Sequence, residues 1–144
     1  MTKNVLVTIS GKRMMNDGDE DVELVIPGTY CRKAGLHTVC YEEPGEGDDP
    51  GTRNTILIGS DGMQILKEGM ANVRMAFLNR ADRVTSCYST PFGEFMIGIV
   101  TRDIKIDESR DRLNVAVDYA MDIGDQHVSD CSINVEIVSR TPSV

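Results

Sequence analysis

The chain has no tryptophan, and its aromatic side chains are few: four tyrosines and three phenylalanines in 144 residues. Any core must therefore be chiefly aliphatic, with each ring a singular feature of it. Histidine is nearly absent, with only His37 and His127. Two imidazoles and no Cys-x-x-Cys leave too few ligands for an ordinary zinc site, so no metal and no cofactor are expected. The four cysteines, Cys31, Cys40, Cys87 and Cys131, fall in strand-like runs and read as free buried thiols. Only Cys31 and Cys40 share a hairpin. A three-residue loop ending at Gly35 would set them on opposite faces of the sheet, which argues against a disulfide.

Positive charge is also the minority. Lys and Arg total 15 against 23 Asp and Glu, a net charge of -8, which repels phosphate backbones and anionic membranes. Nucleic acid and membrane are therefore not expected as partners. No segment approaches the roughly 18 apolar residues of a membrane span. Met1 to Val5 has one cation and no apolar run of signal-peptide length, so a cytoplasmic location is expected. No Gly-x-Ser-x-Gly elbow is present, and the reading leans away from an enzyme. Glu42 and Glu43 could serve as acid and base, but neighbours on one strand face opposite sides and cannot flank one substrate. Both histidines lie near hairpin turns, where an exposed imidazole is the ordinary expectation.

What the chain does have is alternation. Leu113, Val115, Val117, Tyr119, Met121 and Ile123 alternate with smaller or polar residues, the mark of a half-buried strand. Cys131, Ile133, Val135 and Ile137 form a second such row. For the two rows to share a face, the loop around Gly124-Asp125-Gln126 must hold an odd number of residues; three place Tyr119 across from Cys131. Val5, Val7 and Ile9 open a first strand that runs on toward Met14. The acidic run Asn16 to Asp21 then breaks it, and Val22, Leu24 and Ile26 open a second. The glycine of that run comes too early for a helical calcium loop, so it reads as a solvated hairpin tip. Pro27-Gly28 bends the second strand, and Lys33-Ala34-Gly35 turns the chain into Leu36 to Glu43. Pro44 to Gly51 contains no apolar side chain beyond its two prolines and reads as the longest loop, followed by a strand from Thr52 to Ile58. Met63 to Leu78 carries a helical stripe, but Gly69 weakens it and the β neighbourhood overrides it. Two short strands are expected, Met63 to Lys67 and Ala71 to Leu78.

The strongest hairpin signal is Thr90-Pro91-Phe92-Gly93, between Val84 to Tyr88 and Phe95 to Thr101. Two registers compete. A three-residue loop pairs Thr90 with Glu94 and sets Tyr88 opposite Met96. Matching apolar residues instead sets Tyr88 opposite Phe95 and Val84 opposite Ile99, which needs an even loop. A two-residue loop needs positive φ at Pro91, which the ring forbids, so only a less common four-residue loop could give that pairing, and the three-residue loop is expected. About ten strands joined by hairpins, with no confident helix, describe an all-β, single-domain chain over residues 1–144: an antiparallel up-and-down meander that hides its edges by closing into a barrel.

Gly28-Thr29-Tyr30, Tyr41-Glu42-Glu43, Thr52 to Thr55, Gly69, Met75-Ala76-Phe77 and Tyr88-Ser89-Thr90-Pro91-Phe92-Gly93 together resemble the YwiB-like family of small bacterial proteins. The resemblance spans nearly the whole chain. It implies a calycin-like barrel of eight to ten strands, of the broad shape that lipocalins use to hold apolar ligands, and it implies no activity. From the resembling motifs, Tyr30, Tyr41, Glu43, Arg53, Thr55, Arg74, Met75 and Tyr88 are the candidate lining of a ligand-binding interior. The alternative is that these rings and Met75 fill the core while Glu43 meets Arg53 or Arg74 in an internal ion pair. Three functions are open: binding of a small amphipathic ligand; an interaction or homodimerisation module, signalled by exposed Val and Ile on the outer side of Val5 to Ile9 or Ile97 to Val100; and, least favoured, catalysis through Glu43.

Overall fold

A computed structural model describes residues 1–15, 18–79, 83–123 and 126–140, the backbone alone at 13–15, 18–20 and 126–128. The chain forms β1 (Asn4–Met15), β2 (Gly18–Lys33), β3 (Leu36–Glu43), β4 (Thr52–Gly59), β5 (Gly62–Glu68), β6 (Val73–Leu78), β7 (Arg83–Thr90), β8 (Gly93–Glu108), β9 (Arg112–Ile123) and β10 (Gln126–Ser139). They make one ten-stranded antiparallel sheet in the order β6-β5-β4-β3-β2-β1-β10-β9-β8-β7. Sequential neighbours pair except β6 and β7, and β1 pairs with β10. The last gap, between β6 and β7, is bridged at Asn72 and Ser89, whose backbone amides donate to each other's carbonyls at 2.8 and 2.9 Å. Ser86 Oγ adds a hydrogen bond to the Arg74 carbonyl. The result is a nearly closed barrel. Met63 to Leu78 is strand, as expected, with the second piece starting at Val73.

Apolar alternation decides what fills the barrel. Val5, Val7, Val39, Ile56, Phe77, Leu113, Val115, Val135 and Ile137 are fully buried on the inner face. The rows of β9 and β10 share that face in the expected register, Tyr119 opposite Cys131. The odd residue is supplied by an irregularity between His127 and Ser129 in β10, where the pairing shifts. Gly124 and Asp125, in the connection between these strands, lie outside the described residues, as do Asn16 and Asp17 of the acidic turn. The rest of that run belongs to β2, with Gly18 pairing Met15. Around Pro27-Gly28 the strand changes partner: β2 pairs with β1 up to Thr29 and with β3 from Thr29 onward.

Two further turns differ from expectation, besides the β9–β10 connection, where Gln126 pairs with Ile123 and leaves two residues between the strands rather than three. The β2–β3 loop has two residues, Ala34 and Gly35, with φ of 51° and 79° and Lys33 paired to Leu36. Positive φ at both positions is the type I′ hairpin geometry. Cys31 and Cys40 consequently share the outer face. All four thiols are free, and only Cys131 is buried; Cys31 and Cys87 are exposed. In the β7–β8 hairpin, Tyr88 pairs with Phe95 and Val84 with Ile99, so the apolar match prevails over the three-residue loop. Pro91 and Phe92 form a two-residue turn and keep negative φ, while Gly93 takes φ of 138°. The conformation that the proline ring forbids is displaced onto the glycine that follows. Thr90 Oγ1 steadies the turn by accepting from the Phe92 amide at 3.1 Å. The segment Pro44–Gly51 is irregular but tightly turned: the Gly51 amide donates to Asp49 Oδ1 at 2.8 Å.

Candidate functional site

Parity along each strand sets which polar groups enter the barrel. On β3, Val39 and Tyr41 point inward, so Glu43 follows them and Glu42 faces out. On β4 the inward set is Asn54, Ile56 and Ile58, and on β5 it is Met63, Ile65 and Lys67. Tyr41 pairs with Asn54, and Asn54 with Lys67, so these side chains form one row across three strands. The Asn54 amide donates from Nδ2 to Glu43 Oε1 at 3.0 Å, and Lys67 Nζ lies 3.5 Å from the same oxygen. Asn54 is fully buried and its Oδ1 has no hydrogen-bond partner. A buried acceptor without a donor costs about 1–3 kcal/mol. Burial, with the Glu43 charge beside it, pushes the Tyr41 hydroxyl pKa far up, so it stays a neutral donor. Above this row, Glu42, Glu43, Pro44, Pro50, Gly51, Thr52, Arg53, Glu68 and Gly69 line a cleft of about 510 Å³.

The other end of β3 carries a second polar cluster. His37 is inward-facing and 6% exposed, not the solvent-facing imidazole expected of a residue beside a turn. Its Nδ1 lies 2.7 Å from the Tyr30 hydroxyl and its Nε2 lies 3.0 Å from Glu108 Oε1. Arg32 Nη1 stands 3.7 Å from the same carboxylate oxygen. β2 and β8 are separated in the sheet by β1, β10 and β9, so Glu108 reaches His37 across the barrel end. Burial lowers the His37 pKa despite the opposing pull of Glu108. The neutral ring satisfies every partner if Nε2–H donates to Glu108 and Nδ1 accepts from Tyr30. Burial also raises the Tyr30 pKa.

Of the eight residues expected to line the interior, the structure brings Tyr41 and Glu43 together. Tyr30 lies at the opposite end, and Met75 and Tyr88 are partly buried against the core. Arg53 and Arg74 are exposed, and Thr55 sits on the outer face with them. Each lies one residue from an inward position, and β parity turns it outward. The expected partners of Glu43 are corrected accordingly: Lys67 takes that place, and Arg53 instead pairs with Glu42 outside at 3.7 Å. Asn54, Lys67, His37 and Glu108 were not among the expected lining. The first three were accessible to counting by twos from Ile56, Ile65 and Val39 respectively; Glu108 was not, because its strand is distant in the sheet. His127 has a side chain outside the described residues. Among the described residues, no group of three His, Cys, Asp or Glu is placed to hold a metal ion, and no helix is long and apolar enough to cross a membrane.

Buried and partly buried apolar side chains from all parts of the sheet meet inside the barrel. The Phe77 ring from β6 meets the Tyr119 ring from β9 edge-on, centroids 4.8 Å apart. Another cleft, of about 600 Å³, lies on the outer face of the long strands, where Lys12, Asp21, Glu23, Asp103, Lys105 and Asp118 line it.

With this barrel and its register in view, the family model of a domain of unknown function, DUF1934, matches residues 7–135. The chain belongs to the DUF1934 family. Its fold is similar to that in the crystal structure of the ywiB protein from Bacillus subtilis, with a TM-score of 0.83 over 96% of this chain and 93% of that one. Sequence identity to that protein is 16%, so the likeness shows the fold. No curated protein matches the chain.

Proposed function

We propose that this DUF1934 barrel binds a small amphipathic molecule carrying an amine, held at the mouth beneath Pro44–Gly51 rather than deep in the lumen. The observation that carries this reading is the Glu43–Asn54 pair. It is a carboxylate lining the cleft, hydrogen-bonded to a buried amide whose oxygen still lacks a donor. A protonated amine, an ammonium group, supplies only donors. Glu42, Glu43 and Glu68 line the cleft against Arg53 alone, and the net charge of -8 draws cations toward the molecule. The Phe77–Tyr119 contact lies among buried side chains inside the barrel, which favours the mouth over the lumen as the place for a ligand.

The test is thermal shift and calorimetry with a series of short alkylamines and the matching alkyl carboxylates. Amines are expected to raise the melting temperature and carboxylates to leave it unchanged, with the amine effect lost in Glu43→Gln. Equal responses to both series, or an amine response that survives Glu43→Gln, sinks the reading.

A second reading, a filled barrel that acts through its surface, is favoured by the same Phe77–Tyr119 contact. Catalysis is less supported. Tyr30, His37 and Glu108 have the order of a proton relay, but burial drives the tyrosine away from the anion such a relay would need. Exposed free thiols at Cys31 and Cys87 suit a reducing cytoplasm.

A further inference from the structure

The β7–β8 hairpin outruns its neighbour. Pairing of β8 with β9 begins at Ile97, opposite Ile123, whereas pairing with β7 starts at Gly93. Gly93 to Met96 and the turn before them therefore form a two-stranded arm. This arm is apolar on both sides. Phe95 continues the inner row of Ile97 and Ile99, Met96 lies on the outer face, and Phe92 stands at the tip. Phe92 is 95% exposed, Met96 51% and Phe95 48%. The Asn72–Ser89 bridge brings the β5–β6 turn alongside, adding Met70 at 57%. These four are among the largest exposed apolar side chains of the chain, and they sit at one corner. A turn tip is ordinarily polar, and contiguous apolar surface of this kind usually marks a contact. The outer sides of Val5 to Ile9 and Ile97 to Val100, where such a surface was expected, supply less: Leu6 is 37% exposed and Val100 only partly so, while Val5, Val7, Ile97 and Ile99 face inward and are buried.

We propose that this corner is the interface of a symmetric homodimer, the arm of one copy packing against the arm of the other. Charge selects a second copy as the occupant. In a chain that is 26% charged, residues 86–97 contain a single ionisable acid or base of the Asp, Glu, Lys and Arg kind, Glu94. Two molecules of net charge -8 repel each other, and an arm with one charged residue adds little to that repulsion. An apolar patch is also complementary to itself, which a two-fold interface requires. An arm exposed on both faces can lie along its counterpart and cover Phe95 and Met96 together. This inference is independent of the ligand reading, which concerns the mouth near Glu43.

The experiment is sedimentation equilibrium of the full chain from micromolar to millimolar concentration, with Phe92→Ser and, separately, Met70→Lys. The wild type is expected to dimerise, and each variant to be monomeric with a melting temperature like that of the wild-type monomer. Cys87, paired opposite Met96, gives a second readout against Cys31, which is exposed at the far end of β2. Maleimide labelling of Cys87 should slow several-fold as the protein is concentrated, while Cys31 labelling holds constant. A wild type that stays monomeric at all concentrations overturns the proposal, as does a dimer that persists in both variants. Monomeric wild type that floats with phosphatidylcholine vesicles also overturns it and assigns the corner to a lipid surface.

Discussion

Tyr30 and His37 face each other within the β2–β3 hairpin, phenol oxygen 2.7 Å from imidazole Nδ1, and the far side of the ring is held by Glu108 from a strand that is not a sheet neighbour of either. The hairpin and the barrel end are thus tied through one nearly buried ring.

Protonation of that ring should be resisted by the fold. The His37 pKa is lowered on folding, chiefly by burial, so the unfolded chain binds the proton more readily. Stability from this site is complete above the unfolded imidazole value of about 6.5 and is lost as pH falls through the lower folded value. Urea midpoints measured from pH 8 to pH 5 should fall more steeply for the wild type than for His37→Gln. Parallel curves would refute the assignment. At pH 8 the variant should itself lose about 1–3 kcal/mol, because its partners are left imperfectly satisfied.

The type I′ turn at Ala34-Gly35 is chemically mismatched. Ala34 holds φ of 51°, a conformation that costs an ordinary L-residue about 1–2 kcal/mol. Asparagine tolerates it better and is the favoured first residue before glycine in this turn. Ala34→Asn should therefore raise stability by about 0.5–1 kcal/mol, read as a higher melting temperature with unchanged far-UV circular dichroism.

At Gly28 the opposite holds. A Cβ there would stand 2.8 Å from the Cys40 carbonyl oxygen and 3.2 Å from Val7 Cγ2. The nearer atom is backbone in the β2–β3 ladder and cannot swing aside. Gly28→Ala should cost about 1–3 kcal/mol, with amide exchange accelerated at Thr29 and Cys40 before the β9–β10 ladder responds.

Much of this barrel could be read in the chain. Alternation from Leu113 to Ile123 and from Cys131 to Ile137 identified both strands, their shared face and the Tyr119–Cys131 pairing, because a half-buried strand shows its period directly. Turn chemistry was less transparent. At Pro91 the rule about the proline ring was right, yet the inference from it failed, since Gly93 absorbs the positive φ and frees the two-residue turn. Parity decides the interior. Arg53, Thr55 and Arg74 looked like lining because they sit in or directly beside resembling motifs, but their neighbours Asn54, Ile56, Val73 and Met75 hold the inward positions. Glu108 illustrates what alternation cannot provide: its contact with His37 depends on the curvature of the whole sheet, which no local pattern of residues states.

The contact between Phe77 and Tyr119 offers the most direct check on whether the lumen is occupied by the protein's own side chains. Phe77 is fully buried, pairs with Met63 across the β5–β6 ladder, and meets the Tyr119 ring at an interplanar angle of 63°. Its inner surface faces other side chains rather than solvent, so truncation removes both transfer free energy and packing contacts that the surrounding strands cannot quickly restore. Phe77→Ala should cost about 3–5 kcal/mol, a large share of the roughly 5–15 kcal/mol that stabilises a domain. In a barrel already hollow at this level, the same truncation would enlarge an existing void and cost far less. Denaturant unfolding of the two proteins separates the cases. If Phe77→Ala remains folded, benzene should raise its midpoint and leave that of the wild type where it was, because only the truncated barrel then has an apolar space for the ring to enter.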